Sequence, residues 1–429
     1  MSRRRTVITG IGVVAPGGIG TGPFWELITS GRTATRRITQ FDPSAHRCQV
    51  AAECDFDPAE AGLTPREIRR SDRFVQLAKV AAREAVDDSG LSVDGRLAER
   101  TGVAMGSAVA GTKSMESEYV VLSDGGAHWK VDPAYVSPHM YDYFLPSSVA
   151  AEVALTTGAR GPATVVSTGC TSGIDSVAHA AEVIRDGSAD VVVTGGSDAP
   201  ISPITVTCFD VIKAQSVYND EPPRACRPFD RTRRGLILGE GSAVLVLEEY
   251  EHARRRGARI YAEVAGAASR CNAFHMTGLK PDGREMGEAI TTALGEARMN
   301  PEDVDYVNAH GSGTKQNDRH ETAAFKRALG EHARRTPVSG IKAAVGHSLG
   351  AIGSIEIAAC ALAMAHGVVP PTANLREPDP ECDLDYVPLD AREHRVRGAL
   401  TVGSGFGGFQ SAMVFRDPER ARDEEGSGA

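Results

Sequence analysis

Residues 165–176 read Val165-Val166-Ser167-Thr168-Gly169-Cys170-Thr171-Ser172-Gly173-Ile174-Asp175-Ser176. The apolar, β-branched start predicts a strand, Gly169 a tight turn, and the spacing of Ile174, Val177, Ala178 and Ala181 an amphipathic helix. Cys170 thus falls at a helix N-terminus, where the positive end of the helix dipole favours thiolate over thiol. A small buried cysteine is the commoner fate of this residue in a core. That reading is taken for the other seven of the eight cysteines.

Outward from this turn, Gly-punctuated strands alternate with amphipathic helices. Strands are predicted at Thr6–Val14, Gly102–Ser107, Ala189–Thr194 and Ala243–Leu247, and helices over Asp72–Asp88 and Asp175–Arg185. The order then repeats, with strands near Arg259–Ala265, Val304–Ala309, Val338–Ile341 and Ala399–Val402 and a last one at Ser411–Phe415. This is the pattern of an α/β protein. Two similar halves are predicted to meet near residue 255: 1–255, holding Cys170, and 256–416, followed by a loose, charged tail over 417–429. The best internal match sets Thr164–Gly187 beside Pro337–Gly367, with Cys170 and His347 at equivalent turns that a pseudo-two-fold would bring together.

A chain of 429 residues, 41% hydrophobic and 24% charged, has globular statistics and length enough for full cores. A net charge of −9 argues against a nucleic-acid binder. Arg254-Arg255-Arg256 could receive an acidic protein, although a solvated helix face is the simpler reading. No two cysteines stand at the two-residue spacing of a zinc knuckle, so neither a metal nor a disulfide framework is expected. The start, Arg3-Arg4-Arg5 and then Val7–Val14 broken by Gly10 and Gly12 before Pro16, does not fit a signal peptide. The longest later apolar run, Ile357–Val369, falls short of the roughly 20 residues of a membrane span. A cytoplasmic protein is expected.

Three short motifs are set aside. Gly10-Ile11-Gly12-Val13-Val14-Ala15 has dinucleotide-fingerprint spacing, but Pro16, Gly17, Gly18 and Gly20 delay any helix, so a close-packed strand is the better reading. Gly403-Ser404-Gly405-Phe406-Gly407-Gly408 has the same spacing and leads into a strand. Gly346-His347-Ser348-Leu349-Gly350 matches the nucleophile elbow of serine hydrolases, with His394 and acidic residues between Asp379 and Asp390 in triad order. An α/β-hydrolase using Ser348 leaves Cys170 and most of the first 300 residues without a role.

His310 ends the strand Asp305-Tyr306-Val307-Asn308-Ala309 and enters Gly311-Ser312-Gly313-Thr314, while His347 follows Lys342 by five residues. Both stand in glycine-flanked strand-end turns, where α/β active sites gather. Cys170 in its strand-to-helix turn, His310 in Asn-Ala-His-Gly, His347 in Gly-His and the closing Gly405-Phe406-Gly407-Gly408 together resemble the β-ketoacyl synthases of the thiolase-like fold. Arg227-Pro228-Phe229-Asp230, Leu238-Gly239-Glu240-Gly241, His275-Met276-Thr277 and Pro370–Leu375 extend the resemblance over nearly the whole chain. Gly169-Cys170-Thr171, Gln316–Thr322 and Val345–Gly353 are most like the catalytic ketosynthase subunit of bacterial type II aromatic polyketide synthases. Fatty-acid synthases of this fold typically carry Ala beside the cysteine and Thr where this chain has Ser312; a fatty-acid or polyene-type condensing enzyme is the alternative.

The resemblance implies an acyltransferase of layered α-β-α-β-α build that condenses malonyl units with a Cys170-bound acyl chain, driven by decarboxylation. It implies an oxyanion hole from the backbone N–H groups of Cys170 and Phe406, and His310 and His347 as donors to the enolate. Lys342 and Glu356 are expected to orient the His347 turn, Glu321 to support the His310 loop, and Ser312 and Thr314 to bind the phosphopantetheine arm of an acyl carrier protein. No metal or redox cofactor is implied. The implied assembly is an obligate dimer, with a chain-length-factor subunit as partner. The strand Ala163-Thr164-Val165-Val166-Ser167 fits either an edge covered by that partner or an interior place in the sheet.

Overall fold

The computed structural model describes residues 4–128 and 133–418; the tail predicted from 417 lies outside them except for Asp417 and Pro418. Ten strands build the main sheet: β1 (Thr6–Ala15), β2 (Thr101–Gly106), β3 (Ala163–Val166), β4 (Val191–Asp198), β5 (Gly241–Glu249), β6 (Ala262–Cys271), β7 (Tyr306–Asn308), β8 (Val338–Ser339), β9 (Gly398–Gly405) and β10 (Phe409–Arg416), with Gly18–Ile19 added beside β1. Every strand predicted from the pattern is present.

Strand order runs β8-β7-β9-β10-β6-β1-β5-β4-β2-β3. From the centre outward one half reads β1-β5-β4-β2-β3 and the other β6-β10-β9-β7-β8, the same path with every number raised by five. The strand directions repeat as well. β2 runs parallel to β3 and β4, and β7 to β8 and β9, while β4–β5, β5–β1, β9–β10 and β10–β6 are antiparallel. The halves join where Val7 and Ile8 pair with Glu263 and Ala262.

Helices close the layers. On the outer face of the first half lie α1 (Arg73–Ser89) and α2 (Ser148–Thr157), and between the halves lies α3 (Ser172–Arg185). On the outer face of the second half lie α4 (Arg284–Ala297) and α5 (Lys315–Leu329), and α6 (Ile352–His366) packs beside α3 in the middle layer. α1 starts at Asp72, whose carboxylate accepts the Phe74 N–H at 3.0 Å. It packs so tightly on β1 that a Cβ on Gly12 would lie 1.9 Å from the Ala81 carbonyl oxygen. Gly10 and Gly12 therefore serve close packing rather than a dinucleotide.

α6 is apolar on nearly all sides, Glu356 apart, because the two halves of the sheet pack against it. Counted from Leu349 to His366 it is long and apolar enough to cross a bilayer, which the shorter run read from the sequence did not reach, but 83% of that stretch is buried inside the protein. α3 and α6 cross on glycine: a Cβ on Gly173 would stand 2.6 Å from the Ser354 nitrogen, and one on Gly353 would stand 2.7 Å from the Ile174 side chain. That crossing brings the starts of the two central helices together. Since β3 precedes α3 and β8 precedes α6, the Cys170 and His347 turns occupy equivalent places in the two halves.

Among the described residues β3 pairs only with β2, at the end of the sheet, so the strand is an edge rather than an interior one. Of the arginine cluster, Arg254 pairs with Glu251 and Arg256 with the buried Glu248, which ties that face to its own surface.

Candidate active site

Cys170 lies in a single 3-10 turn, Gly169–Thr171, between β3 and α3, and is buried to 7% exposure. Gly169 has φ +62°, a conformation that favours glycine. The Phe406 backbone lies beside Cys170 in the wall of one cavity. Burial pushes the Cys170 thiol up to about 11, against the lowering pull of the Lys342 ammonium and the Phe406 N–H. The helix dipole expected to favour a thiolate at this turn is thus opposed by desolvation.

His310 follows β7 through Ala309, and its ring meets that of His347 edge-on, centroids 5.2 Å apart. Both imidazoles are held well below their ordinary range, by burial first and then by the Lys342 ammonium, so both are neutral. Lys342, fully buried, reaches His310 Nδ1 at 3.2 Å, the His310 carbonyl, and Glu356 at 2.5 Å. An ammonium has only donors, so Nδ1 accepts and the ring proton of His310 stands on Nε2. His347 is held by its backbone, its N–H on the Ile237 carbonyl at 2.8 Å and its carbonyl taking the Gly239 N–H at 2.9 Å. Its Nδ1 is buried and has no hydrogen-bond partner among the described residues.

The supporting carboxylates lie behind these rings. Burial pushes Glu356 up to about 7, partly offset by Lys342. Glu321 on α5 accepts the Gly311 N–H at 2.9 Å and Asn317 Nδ2 at 2.7 Å, which fixes the loop after His310; burial, then nearby Asp318, raises it well above the carboxylate range. The hydroxyls of Ser312 and Thr314 lie 3.0 Å apart, and Thr314 caps α5 through the Asn317 N–H.

These groups open onto one cavity. Cys170, His310, His347, Ser312, Thr314 and Phe406 all line it, with Phe209 and Met276 among the other walls. The Phe406 ring stacks on Phe209, centroids 6.0 Å apart. Lys342, Glu321 and Glu356 support from behind. A groove that shares Thr314, Gln316 and Phe406 with the cavity carries Lys213, Arg231, Arg234 and Lys315.

Two residues escaped the sequence reading. Asp198, at the end of β4, accepts from Ser107 Oγ and from the N–H groups of Ala108, Val109 and Gly350, tying the loop after β2 to the turn after His347. Burial raises it to about 6. An acidic residue ending an apolar strand was its only local signal. Asp175 holds the Cys170 turn and is taken up below. The hydrolase triad does not assemble: among the described residues Ser348 Oγ is buried without a hydrogen-bond partner, Asp379 is bound to Arg233, and His394 Nε2 bonds the Asp305 carbonyl.

Residues 3–253 match the Beta-ketoacyl synthase, N-terminal domain, and residues 261–376 the Beta-ketoacyl synthase, C-terminal domain. The chain belongs to the β-ketoacyl synthase family. Within this family it is 65% identical over 419 residues, 98% of this chain and 90% of the relative, to the actinorhodin polyketide putative beta-ketoacyl synthase 1 of Streptomyces coelicolor. Its identity to the 3-oxoacyl-[acyl-carrier-protein] synthase 2 of Synechocystis is 39%, over 97% of this chain and 99% of that one. Among solved structures it is similar to a type II polyketide synthase acyl-carrier protein in complex with its ketosynthase, at TM-score 0.90 and 37% identity over 97% of this chain and 99% of that one. It is also similar to the ishigamide ketosynthase/chain length factor, at TM-score 0.88 and 34% identity over 97% and 99%. These likenesses carry the thiolase-like ketosynthase fold and place this acyltransferase-type condensing enzyme nearer to the polyketide ketosynthase of Streptomyces coelicolor than to the 3-oxoacyl-[acyl-carrier-protein] synthase of Synechocystis.

Proposed function

We propose that this chain is the catalytic ketosynthase subunit of a type II polyketide synthase, extending a Cys170-bound acyl chain by decarboxylative condensation with malonyl units on an acyl carrier protein. The observation that carries this reading is the convergence of one buried thiol, two neutral imidazoles and the Phe406 N–H on a single cavity.

In the first half-reaction the Cys170 sulfur attacks the acyl thioester, and its proton ends on the carrier sulfur that leaves as a thiol. The negative charge on the former carbonyl oxygen needs donors already in place, which the N–H groups of Cys170 and Phe406 supply. Malonyl thioester then enters the same cavity. Loss of carbon dioxide leaves an enolate, and its oxygen accepts hydrogen bonds from His310 and His347. A neutral ring keeps one N–H to donate, and Lys342 keeps His310 in the tautomer whose Nε2 carries that proton. The enolate carbon attacks the Cys170 thioester, and the sulfur leaves.

The basic groove at the mouth has the charge to meet a phosphopantetheine phosphate and an acidic carrier, with Ser312 and Thr314 further in along the arm. The exposed edge of β3 and the exposed apolar residues Val120, Val121, Tyr141, Phe144 and Leu155 belong to an obligate dimer surface, with a chain-length-factor subunit as the partner. The two halves on either side of residue 255 act as one unit, because the cavity takes Cys170 from one and both histidines from the other.

Intact-mass measurement after incubation with acyl carrier protein substrates tests the reading. An acyl adduct on Cys170 supports it, and an adduct on Ser348, or none, refutes it. Size measurement of the chain alone and with candidate partner subunits tests the assembly; a fully active monomer at micromolar concentration refutes it.

A further inference from the structure

We infer that Asp175 is a positioning residue that fixes the Cys170 turn against the Phe406 hairpin, so that the two oxyanion donors close on the same atom; this rests on the function proposed above.

The two donors come from different halves. Cys170 belongs to the turn between β3 and α3, whereas Phe406 belongs to the hairpin that joins β9 and β10. Their separation must be set by contacts between those elements. Asp175, in the first turn of α3, uses both carboxylate oxygens for this. Oδ2 accepts from Thr168 Oγ1 at 2.5 Å and Thr171 Oγ1 at 2.7 Å, the residues that flank Gly169 and Cys170. Oδ1 accepts from Ser411 Oγ at 2.6 Å. Ser411 stands on β10 as the cross-strand partner of Gly403, five residues beyond Phe406.

One carboxylate thus grips the nucleophile turn at both ends and the hairpin at its base. Hydrogen bonds to an ionised acceptor are shorter and stiffer than neutral ones. The hairpin also leans on the turn sterically: a Cβ on Gly405 would lie 3.0 Å from the Thr168 carbonyl and 3.3 Å from the Cys170 nitrogen, and one on Gly403 3.1 Å from the Thr171 methyl. Sterics set the closest approach, and the Asp175–Ser411 bond opposes separation. An acidic residue at a helix start can also act only as a helix stabiliser. That lesser role touches both half-reactions alike, whereas the positioning role touches only the one that uses the Cys170 and Phe406 donors.

The test separates the half-reactions. Acylation of Cys170 by an acyl carrier protein thioester is followed in a single turnover by intact mass. Carbon dioxide release from malonyl carrier protein is followed in a Cys170→Gln background, where His310 and His347 remain. Asp175→Ala is expected to lower the saturated acylation rate constant about 100-fold, the scale of losing one oxyanion donor, with the half-saturating concentration unchanged within about twofold. Asp175→Asn should recover to within about fivefold, because its amide still accepts from the threonines and can donate to Ser411. Ser411→Ala, which removes only the cross-strand bond, should cost about tenfold. Carbon dioxide release from Cys170→Gln/Asp175→Ala should stay within about twofold of Cys170→Gln. Loss of both half-reactions together, acylation at the wild-type rate in Asp175→Ala, or full acylation by Ser411→Ala overturns the inference. A wild-type chain that takes no acyl group on Cys170 overturns the proposed function, and this inference with it.

Discussion

Replacing Gly173 with Ala should cost both stability and rate, because the two central helices cross there without room for a methyl group. The added Cβ would stand 2.6 Å from the Ser354 nitrogen and 2.8 Å from the Gly350 carbonyl oxygen. Ordinary contact needs about 3.4 Å, so the helices must part by roughly 0.8 Å in a layer packed on both faces. Overpacking of this kind costs about 1–3 kcal/mol. With an unfolding entropy of about 2.1 cal/mol/K per residue, a chain of 429 residues should lose only about 1–3 °C in Tm. The rate is the more sensitive reporter. Parting α3 from α6 parts Cys170 from His347, and a misplacement near 1 Å costs on the order of 100-fold. Gly295→Ala is the control: that helix glycine has nothing within 4 Å of its would-be Cβ, so the change should stabilise by up to about 1 kcal/mol. Calorimetry and the rate of condensation between a Cys170-bound acyl group and malonyl carrier protein measure both variants. Gly173→Ala with unchanged Tm and full condensation would refute the claim that this crossing sets the distance between the two turns.

Lys342→Met should cost about 3–5 kcal/mol by leaving Glu356 buried without its partner, and Lys342→Met/Glu356→Met should recover most of it; additive losses in a double-mutant cycle would show that the pair is not coupled. Cys170→Ala should abolish condensation in a folded chain, while Cys170→Gln keeps malonyl decarboxylation, read as carbon dioxide release. Ser348→Ala should retain most activity, since its hydroxyl has no hydrogen-bond partner, whereas His347→Ala should lose decarboxylation about 100-fold or more; the reverse ranking would favour the serine reading. Both catalytic imidazoles are depressed in the folded chain, so the unfolded chain binds more protons below about pH 6.5. Their contribution to stability is complete above that pH and is lost as pH falls through it. Decarboxylation by Cys170→Gln should show no protonation step of either imidazole near pH 6.5, which a pH–rate profile would reveal.

Much of the site was legible because its signals are local. The turn at Gly169-Cys170, the glycine-flanked histidines and the Gly405–Gly408 hairpin each carry their chemistry within a few residues. The edge position of β3 was not, since a short β-branched run looks the same with one neighbour or two. Asp175 and Asp198 were illegible for another reason: the first is defined by Ser411, 236 residues away, and the second by Gly350, 152 residues away. The burial that opposes ionisation of Cys170 was not legible either, because the helix dipole is visible in sequence and desolvation is not. The internal repeat was legible as a matched order of strand, turn and helix, and the strand path shows it in full.

A two-fold scaffold offers each position twice, and the two copies need not do the same work. At the paired turns ahead of α3 and α6, one copy bears the sulfur that accepts an acyl group and the other a ring that steadies an enolate. The frame is symmetric and the reaction it hosts has a direction. Division of labour between duplicates lets either turn change its chemistry without redesign of the other, provided the glycines at the crossing keep their distance. Families built this way can therefore vary or lose the nucleophile in one member and still keep the shape that pairs with another.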